Sequence, residues 1–350
     1  LIHNSIVPPA IRAIGLVAQK LGLECEALST PTSTVLSFSD RGGDGLAEFT
    51  QVLRMAPGDV NLARLCRADE IADRVIDGSL QLSDGFSQLH DLGRPLSRPA
   101  VHAIVCSYGL AAASVAVLFG TAWPDVVAAG AIGLLIGAIS VAGFGRPRLA
   151  AAGDAISALI ATFIATAVSA WLVPLALKSV VLSALIILVP GMTLTNAVRE
   201  LSSAHLVSGV SRMAGALATL LKLTFGTVAA AQVCALLHIV PAARPLPPLP
   251  EWTQWPALLV GAVSFAMLFQ AARRDYALVI AAVVASYLVS HFGGMAFGAP
   301  FGVFLGGLLL GALGNLYARV AGRPGALVRE PGILLLVPGS VGFRSVSYLL

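Results

Sequence analysis

Charge is scarce in this 350-residue chain. Asp, Glu, Lys and Arg together make up 11% of it, against about 25% in a typical soluble domain. Residues 100–350 are almost continuously apolar, and apolar stretches of about 20 residues match the hydrocarbon thickness of a bilayer. Cysteine is also sparse. Cys25, Cys66, Cys106 and Cys234 are scattered with no CxxC spacing, which argues against a zinc site or a disulfide framework and suits a reducing cytoplasm or a lipid-facing position. No GK[ST] follows the glycine-rich turn Gly42-Gly43-Asp44-Gly45, so it is not a phosphate loop. His3 and His90 have no partner at ligand spacing, and no nucleophile–base–acid set is readable. Enzyme activity, a metal, a cofactor and a nucleic-acid partner are therefore not expected. No apolar core with a small-residue cleavage site opens the chain, so no signal peptide is expected. The ends, Leu1 and Ser-Tyr-Leu-Leu, read as trimmed.

The composition shifts near Ser97. Residues 1–97 hold most of the acids and read as a small cytoplasmic α/β domain. Ile11, Ile14, Leu16, Val17 and Leu21 form a helical stripe up to Gly22. The segment from Glu24 to Phe38, rich in threonine and valine, predicts one or two strands, and a further strand runs through Phe49, Val52 and Leu53. Asp59 is the expected cap of a helix with the apolar face Leu62, Leu65, Cys66, Ile71 and Val75, ending at Gly78. A second helix is expected from near Ser83 to Gly93.

Beyond this domain the chain reads as a membrane all-α bundle of about nine to ten transmembrane helices. Spans are predicted at about 100–119, 124–143, 149–173, 177–203, 209–240, 255–271, 276–292, 297–318 and 329–350. Residues 98–240 form a first five-helix repeat, 241–254 a Pro-rich linker, and 255–350 a second, shortened repeat. Trp252 and Trp255 suit an interfacial belt. With the N-terminal domain in the cytoplasm, Arg94, Arg98, Arg146, Arg148, Arg199, Arg273, Arg274, Arg319, Arg323 and Arg329 fall at cytoplasmic ends. Only Lys178 and Arg244 fall opposite, the asymmetry of the positive-inside rule. Span five is too long for a bilayer, so its first turns, with Arg212, are expected to project from it or line a cavity.

Leu-Val-Pro-Gly occurs twice, at Leu188–Gly191 and Leu336–Gly339, inside apolar runs. Proline removes a backbone donor and clashes with the preceding turn, so spans four and nine are expected to break at Pro190 and Pro338. Three spans precede the break in each half, and an odd separation makes the repeat inverted, the arrangement of alternating-access transporters. Half-helices starting after Gly191 and Gly339 aim free amides, those of Met192, Thr193 and Leu194 in the first, at the membrane middle, which favours an anionic group. Thr193, Thr195, Asn196 and Ser340 add partners for a small zwitterion. Arg344, the counterpart of Asn196, is either a carboxylate clamp or structurally paired. Asp154, Glu200, His205, Arg212 and Lys222 are the coupling and gating candidates: Glu200 with His205 or Arg212 as a proton-responsive cluster or an interfacial salt bridge, Lys222 beside a polar cavity. Asp125 and Asp275 read as helix caps. The spacings Gly133/Gly137, Gly302/Gly306 and Gly307/Gly311 read as packing contacts.

PGMTLTNAVRELSSAHLVSGVSRMAGAL and LVPGSVGFRS, with GDVNLARL and GSLQLSDGFSQL ahead of the first span, resemble the bacterial threonine/serine exporter family over nearly the whole chain. That resemblance implies a multi-pass inner-membrane exporter of L-threonine and L-serine driven by the proton gradient, whose partners are the amino acid, protons and the lipid bilayer, with room for a homo-oligomer. It places Pro190, Gly191, Glu200, Ser208, Gly209 and Arg212 on the first motif and Pro338, Gly339, Gly342, Phe343 and Arg344 on the second. The family pattern also has a tenth span, whereas Leu350 falls within or just after the ninth. Export of a dicarboxylate or other small organic acid, or a membrane-anchored sensor, are the alternative readings.

Overall fold

The computed structural model describes residues 9–30, 32–40, 49–54, 60–242 and 246–336. The turn at Gly42–Gly45, Asp59 and the whole second break (Pro338, Gly339, Ser340 and Arg344) lie outside the described residues. The N-terminal unit comprises α1 (Pro9–Lys20), β1 (Leu23–Ser29), β2 (Ser33–Asp40), β3 (Phe49–Arg54), α2 (Leu62–Ile76) and α3 (Leu82–Leu92). The strands form one antiparallel sheet in the order β1-β2-β3, with Leu28 opposite Val35 and Leu36 opposite Gln51. Gly22 and Gly78 adopt φ values of 77° and 84° just past α1 and α2, a left-handed turn that side chains resist. The cap of α2 is Asn61, not Asp59: its side chain accepts from the Arg64 amide at 2.9 Å. Leu62, Cys66 and Ile71 are buried, whereas Leu65, expected on the same apolar face, is exposed.

The bundle follows as α4 (Arg98–Leu118), α5 (Trp123–Ala142), α6 (Pro147–Trp171), α7 (Leu177–Leu185), α8 (Gly191–Ser202), α9 (Leu206–Leu236), α10 (Gln254–Leu268), α11 (Tyr276–Phe297), α12 (Ala299–Ala321) and α13 (Ala326–Leu336). Among the described residues six helices are long and apolar enough to cross a membrane, fewer than the nine to ten expected: α4, α5, α6 from Arg148, α9, α11 with the turn before it, and α12. The region around 177–203 divides into α7 and α8, and α10 has 15 residues. α4 leaves the face that carries the N-terminal unit, called here the domain face; α5 returns antiparallel to it, and α6 and α9 run parallel toward the far face.

Small residues set the close approaches. A methyl group at Gly133 would lie 2.7 Å from the Tyr108 carbonyl oxygen, and one at Gly302 would collide with the Ser290 carbonyl, so α5 sits against α4 and α12 against α11. At Gly307 and Gly311 no atom of the described residues lies within 4 Å of an added methyl group, so their spacing makes no packing contact among those residues. Gly226 supplies a contact the spacing did not single out: a methyl there would run into the Ala155 carbonyl and lie 2.9 Å from Ala158 Cβ, so α9 lies directly on α6.

Candidate functional site

Between α7 and α8 the chain leaves the helix from Ile186 to Pro190. Proline cannot donate at this point and pushes the preceding residue out of helical geometry. Leu188 and Val189 still donate to the Leu185 carbonyl at 2.9 and 3.2 Å, and Gly191 donates to the Val189 carbonyl at 2.7 Å. Pro190 then starts α8 by accepting from Leu194 at 3.0 Å. The Leu194 amide, expected to be free, is therefore bound within the helix; Met192 and Thr193 keep the open first-turn positions. Thr195 returns its hydroxyl to the Gly191 carbonyl at 3.0 Å. Thr193 and Asn196 are half-buried on the same short helix. One turn before the break, Ser183 is fully buried, and its hydroxyl, like that of buried Ser114 on α4, has no hydrogen-bond partner among the described residues. Neither serine was singled out from sequence; a hydroxyl stranded in an apolar run is the signal that points to them.

The candidate coupling residues fall into two separate groups. Lys222 on α9 pairs with Asp154 on α6 at 3.6 Å, both side chains partly exposed. Arg212 Nε donates to Glu200 Oε1 at 2.9 Å, joining α9 to α8. His205 does not join this cluster: its ring is exposed, and only its backbone amide reaches the Glu200 carbonyl. Glu200 Oε2 is buried without a partner among the described residues. α13 packs against α8 and brings Glu330 into the same neighbourhood, within electrostatic reach of Arg199, Arg212 and Arg329. Glu330 is 9% exposed, and its Oε2 also lacks a partner. Glu330 was not singled out from sequence; the packing of α13 on α8 draws attention to it.

The two aspartates read as caps differ. Asp125 accepts from the amides of Ala122 at 3.0 Å and Ala176 at 2.8 Å, so it caps α5 and ties the chain entering α7. Asp275 makes no cap bond to α11; Arg323 holds both its oxygens, at 2.7 and 3.1 Å. That bidentate hold pushes the Arg323 guanidinium further above its ordinary value, against the effect of burial.

The N-terminal unit docks on this face. The first amides of α2, at Leu62 and Ala63, donate to the carbonyls of Phe269 and Gln270 just past α10, at 2.9 and 3.2 Å. Two helix ends with open backbone groups thus satisfy each other. Asn61 Nδ2 donates to Gln270 Oε1 at 2.6 Å, and Arg274 pairs with Glu70. Burial raises the Glu70 carboxyl, but hydrogen bonds from Arg274 and Arg67 outweigh it and hold the group below its usual value. Burial, with Asp73 and Glu70 nearby, pushes Asp69 up. A shallow groove of about 630 Å³ between α2, α3 and α13 carries Asn61, Arg64 and Glu330. Among the described residues no group of three or more His, Cys, Asp or Glu side chains is placed to hold a metal.

Two family models match the chain, both described as threonine/serine exporters, one over residues 11–234 and one over residues 255–350. An uncharacterized protein of Schizosaccharomyces pombe is 27% identical over 79% of this chain and 35% of its own length. Pheromone-regulated membrane protein 10 is 26% identical in Candida albicans, over 94% of this chain and 30% of that protein. The protein of the same name in Saccharomyces cerevisiae is 23% identical over 94% and 43%. The chain spans about a third of the length of the first curated relatives it matches. No solved structure matches it.

Proposed function

Because the chain belongs to the threonine/serine exporter family, we propose that it exports small hydroxy amino acids across a membrane by alternating access. The observation that carries this reading is the helix interrupted at Ile186–Pro190 inside the bundle. Interrupted helices place backbone donors at mid-membrane, where substrate groups need partners that lipid cannot offer. The substrate carboxylate meets the first-turn amides of Met192 and Thr193, and its hydroxyl meets Thr193, Asn196 or the buried Ser183. The second Leu-Val-Pro-Gly, which starts at the end of α13, supplies the opposing half-site in an inverted repeat, with Arg344 as the carboxylate clamp. The domain face is cytoplasmic by the positive-inside rule. Protons drive the cycle through the acids of the two charge groups, Asp154 with Lys222 and Glu200 with Arg212, which lie on helices flanking the break.

Reconstitution tests this directly. Proteoliposomes preloaded with unlabelled L-threonine should accumulate labelled L-threonine by counterflow, and L-serine should compete. An imposed pH gradient should drive uptake without preloading. Absence of counterflow with either amino acid removes the proposal, and a response to dicarboxylates alone replaces it with organic-acid export.

A further inference from the structure

Toward the far face, α6, α7 and α9 enclose a cavity of about 770 Å³ that no part of the proposed central site uses. Its size falls in the range of small-molecule sites, about 300–1,000 Å³. It forms because α9 touches α6 at Gly226 and the next turns carry the small residues Thr227, Ala231, Cys234 and Ala235 toward the gap. Four hydroxyl-bearing side chains from three helices, Thr162, Thr166, Ser179 and Thr227, line it, and Lys178 sits at the first turn of α7. Thr166 and Thr227 donate to the carbonyls of Thr162 and Leu223, at 2.8 and 2.9 Å. Their hydroxyl hydrogens are thereby committed and their lone pairs remain as acceptors. Thr162 is 7% exposed, yet its hydroxyl has no partner among the described residues. Leaving such a group unpaired costs about 1–3 kcal/mol, which a bound polar molecule removes.

We propose that this cavity is a second binding site for a small zwitterionic hydroxy amino acid, lying on the exit side of the central break. The hydroxyl oxygens accept from the ammonium, Lys178 faces the carboxylate, and Thr162 pairs with the substrate hydroxyl. The apolar remainder of the wall, including Leu182 and Ile239, covers the aliphatic part. A lipid acyl chain is the competing occupant, but it offers no partner to the unpaired Thr162 hydroxyl or to the lone pairs of Thr166 and Thr227. The identity of the ligand rests on the export reading; the cavity and its hydroxyls do not.

The test uses the full chain in nanodiscs, with Cys25, Cys66 and Cys106 replaced, the cavity-lining and buried Cys234 kept, and Ala231→Cys introduced at the exposed lip of the cavity. Alkylation of this thiol by a small maleimide should slow about tenfold when L-threonine is present at ten times its dissociation constant, by simple occupancy. Adding Thr162→Val and Thr227→Val should abolish the protection, while Thr162→Ser, which keeps the hydroxyl, should retain it. Equal alkylation rates with and without threonine, alongside intact counterflow of the unmodified chain, overturn the second site and leave export standing. Protection without counterflow supports the site and removes export. Protection by a fatty acid but not by threonine overturns the proposal in favour of a lipid. Protection that survives the double valine variant also overturns it, because threonine then acts from elsewhere.

Discussion

Replacing Asp275 with asparagine should cost stability out of proportion to the two atoms changed. The Asp275 carboxylate is 4% exposed and is held at 2.7 and 3.1 Å by Arg323, itself 23% exposed. Asp275→Asn keeps the shape, removes the charge and turns an amide donor toward a guanidinium that can only donate. Breaking one side of a buried pair costs about 3–5 kcal/mol; the partial exposure of Arg323 lets water recover some of this, so about 3 kcal/mol is expected. Tyr317, 3.2 Å from Arg323 Nη1, cannot replace the lost charge. Because Cys66 on the neighbouring α2 is 2% exposed, its alkylation during a thermal ramp in detergent reports unfolding at this junction. The midpoint for Asp275→Asn should fall clearly below that of the unaltered chain and be no more salt-sensitive, since a buried pair is little screened. Arg323→Gln alone should cost a similar amount, and the double variant less than the sum. The raised pKa of Arg323 makes its contribution complete below the ordinary arginine value and lost only as pH rises through the still higher folded value. The deficit should therefore be flat from about pH 6 to about pH 9. Single variants that lose less than about 1 kcal/mol, the level of an exposed pair, would refute the reasoning.

Three further outcomes follow from the geometry. Gly226→Ala pushes a methyl group into the Ala155 carbonyl and should destabilise the bundle by about 1–3 kcal/mol through overpacking; a thermal midpoint equal to that of the unaltered chain would show that α6 and α9 do not touch there. Asp69→Asn should stabilise the chain at neutral pH, because the raised pKa of Asp69 makes its charged form a burden that is relieved as pH falls. Glu70→Gln should do the opposite, removing stability that is present above the ordinary glutamate pKa and lost as pH falls through the lowered one; thermal midpoints across pH 3 to 8 read both. Finally, Asp154→Asn and Lys222→Met should each impair counterflow by leaving one charge alone within the bundle, and the double variant should recover protein stability. Equal stability of the singles and the double would show that the 3.6 Å pair contributes nothing.

The elements that were legible are those governed by the chain's own neighbours. Apolar length marks a membrane helix wherever it lies in the bundle, and the six long helices fall where hydropathy places them. Proline 190 breaks its helix through its own missing donor, so the interruption at Ile186–Pro190 was readable without any partner. The strand reading of residues 24–38, left at one or two and found to be two, and the stop at Gly93 are likewise local. The cap of α2 was misplaced by two residues because Asp59 and Asn61 are both good caps, and the choice depends on where α2 meets the end of α10.

Pairing was not legible, because it depends on which helices become neighbours and how each is rotated. Nothing in the chain joins Asp154 to Lys222 or Asp275 to Arg323 until α9 lies on α6 and the α12–α13 connection folds back to the start of α11. Glu200 takes Arg212 rather than the nearer-in-sequence His205 because α8 and α9 fold back on each other and leave the histidine ring outside. The hydroxyl-lined cavity has the same origin. Its threonines are unremarkable helix residues taken one at a time, and they become a site only where Gly226 draws two parallel helices together and the small residues beyond it hold them apart. The six long described helices and the broken helix were thus settled by backbone and hydropathy acting locally, whereas the expected count of nine to ten spans was not. The partners of its charges and hydroxyls were settled by contacts between helices distant in sequence, since a side chain's partner depends on tertiary distance and orientation.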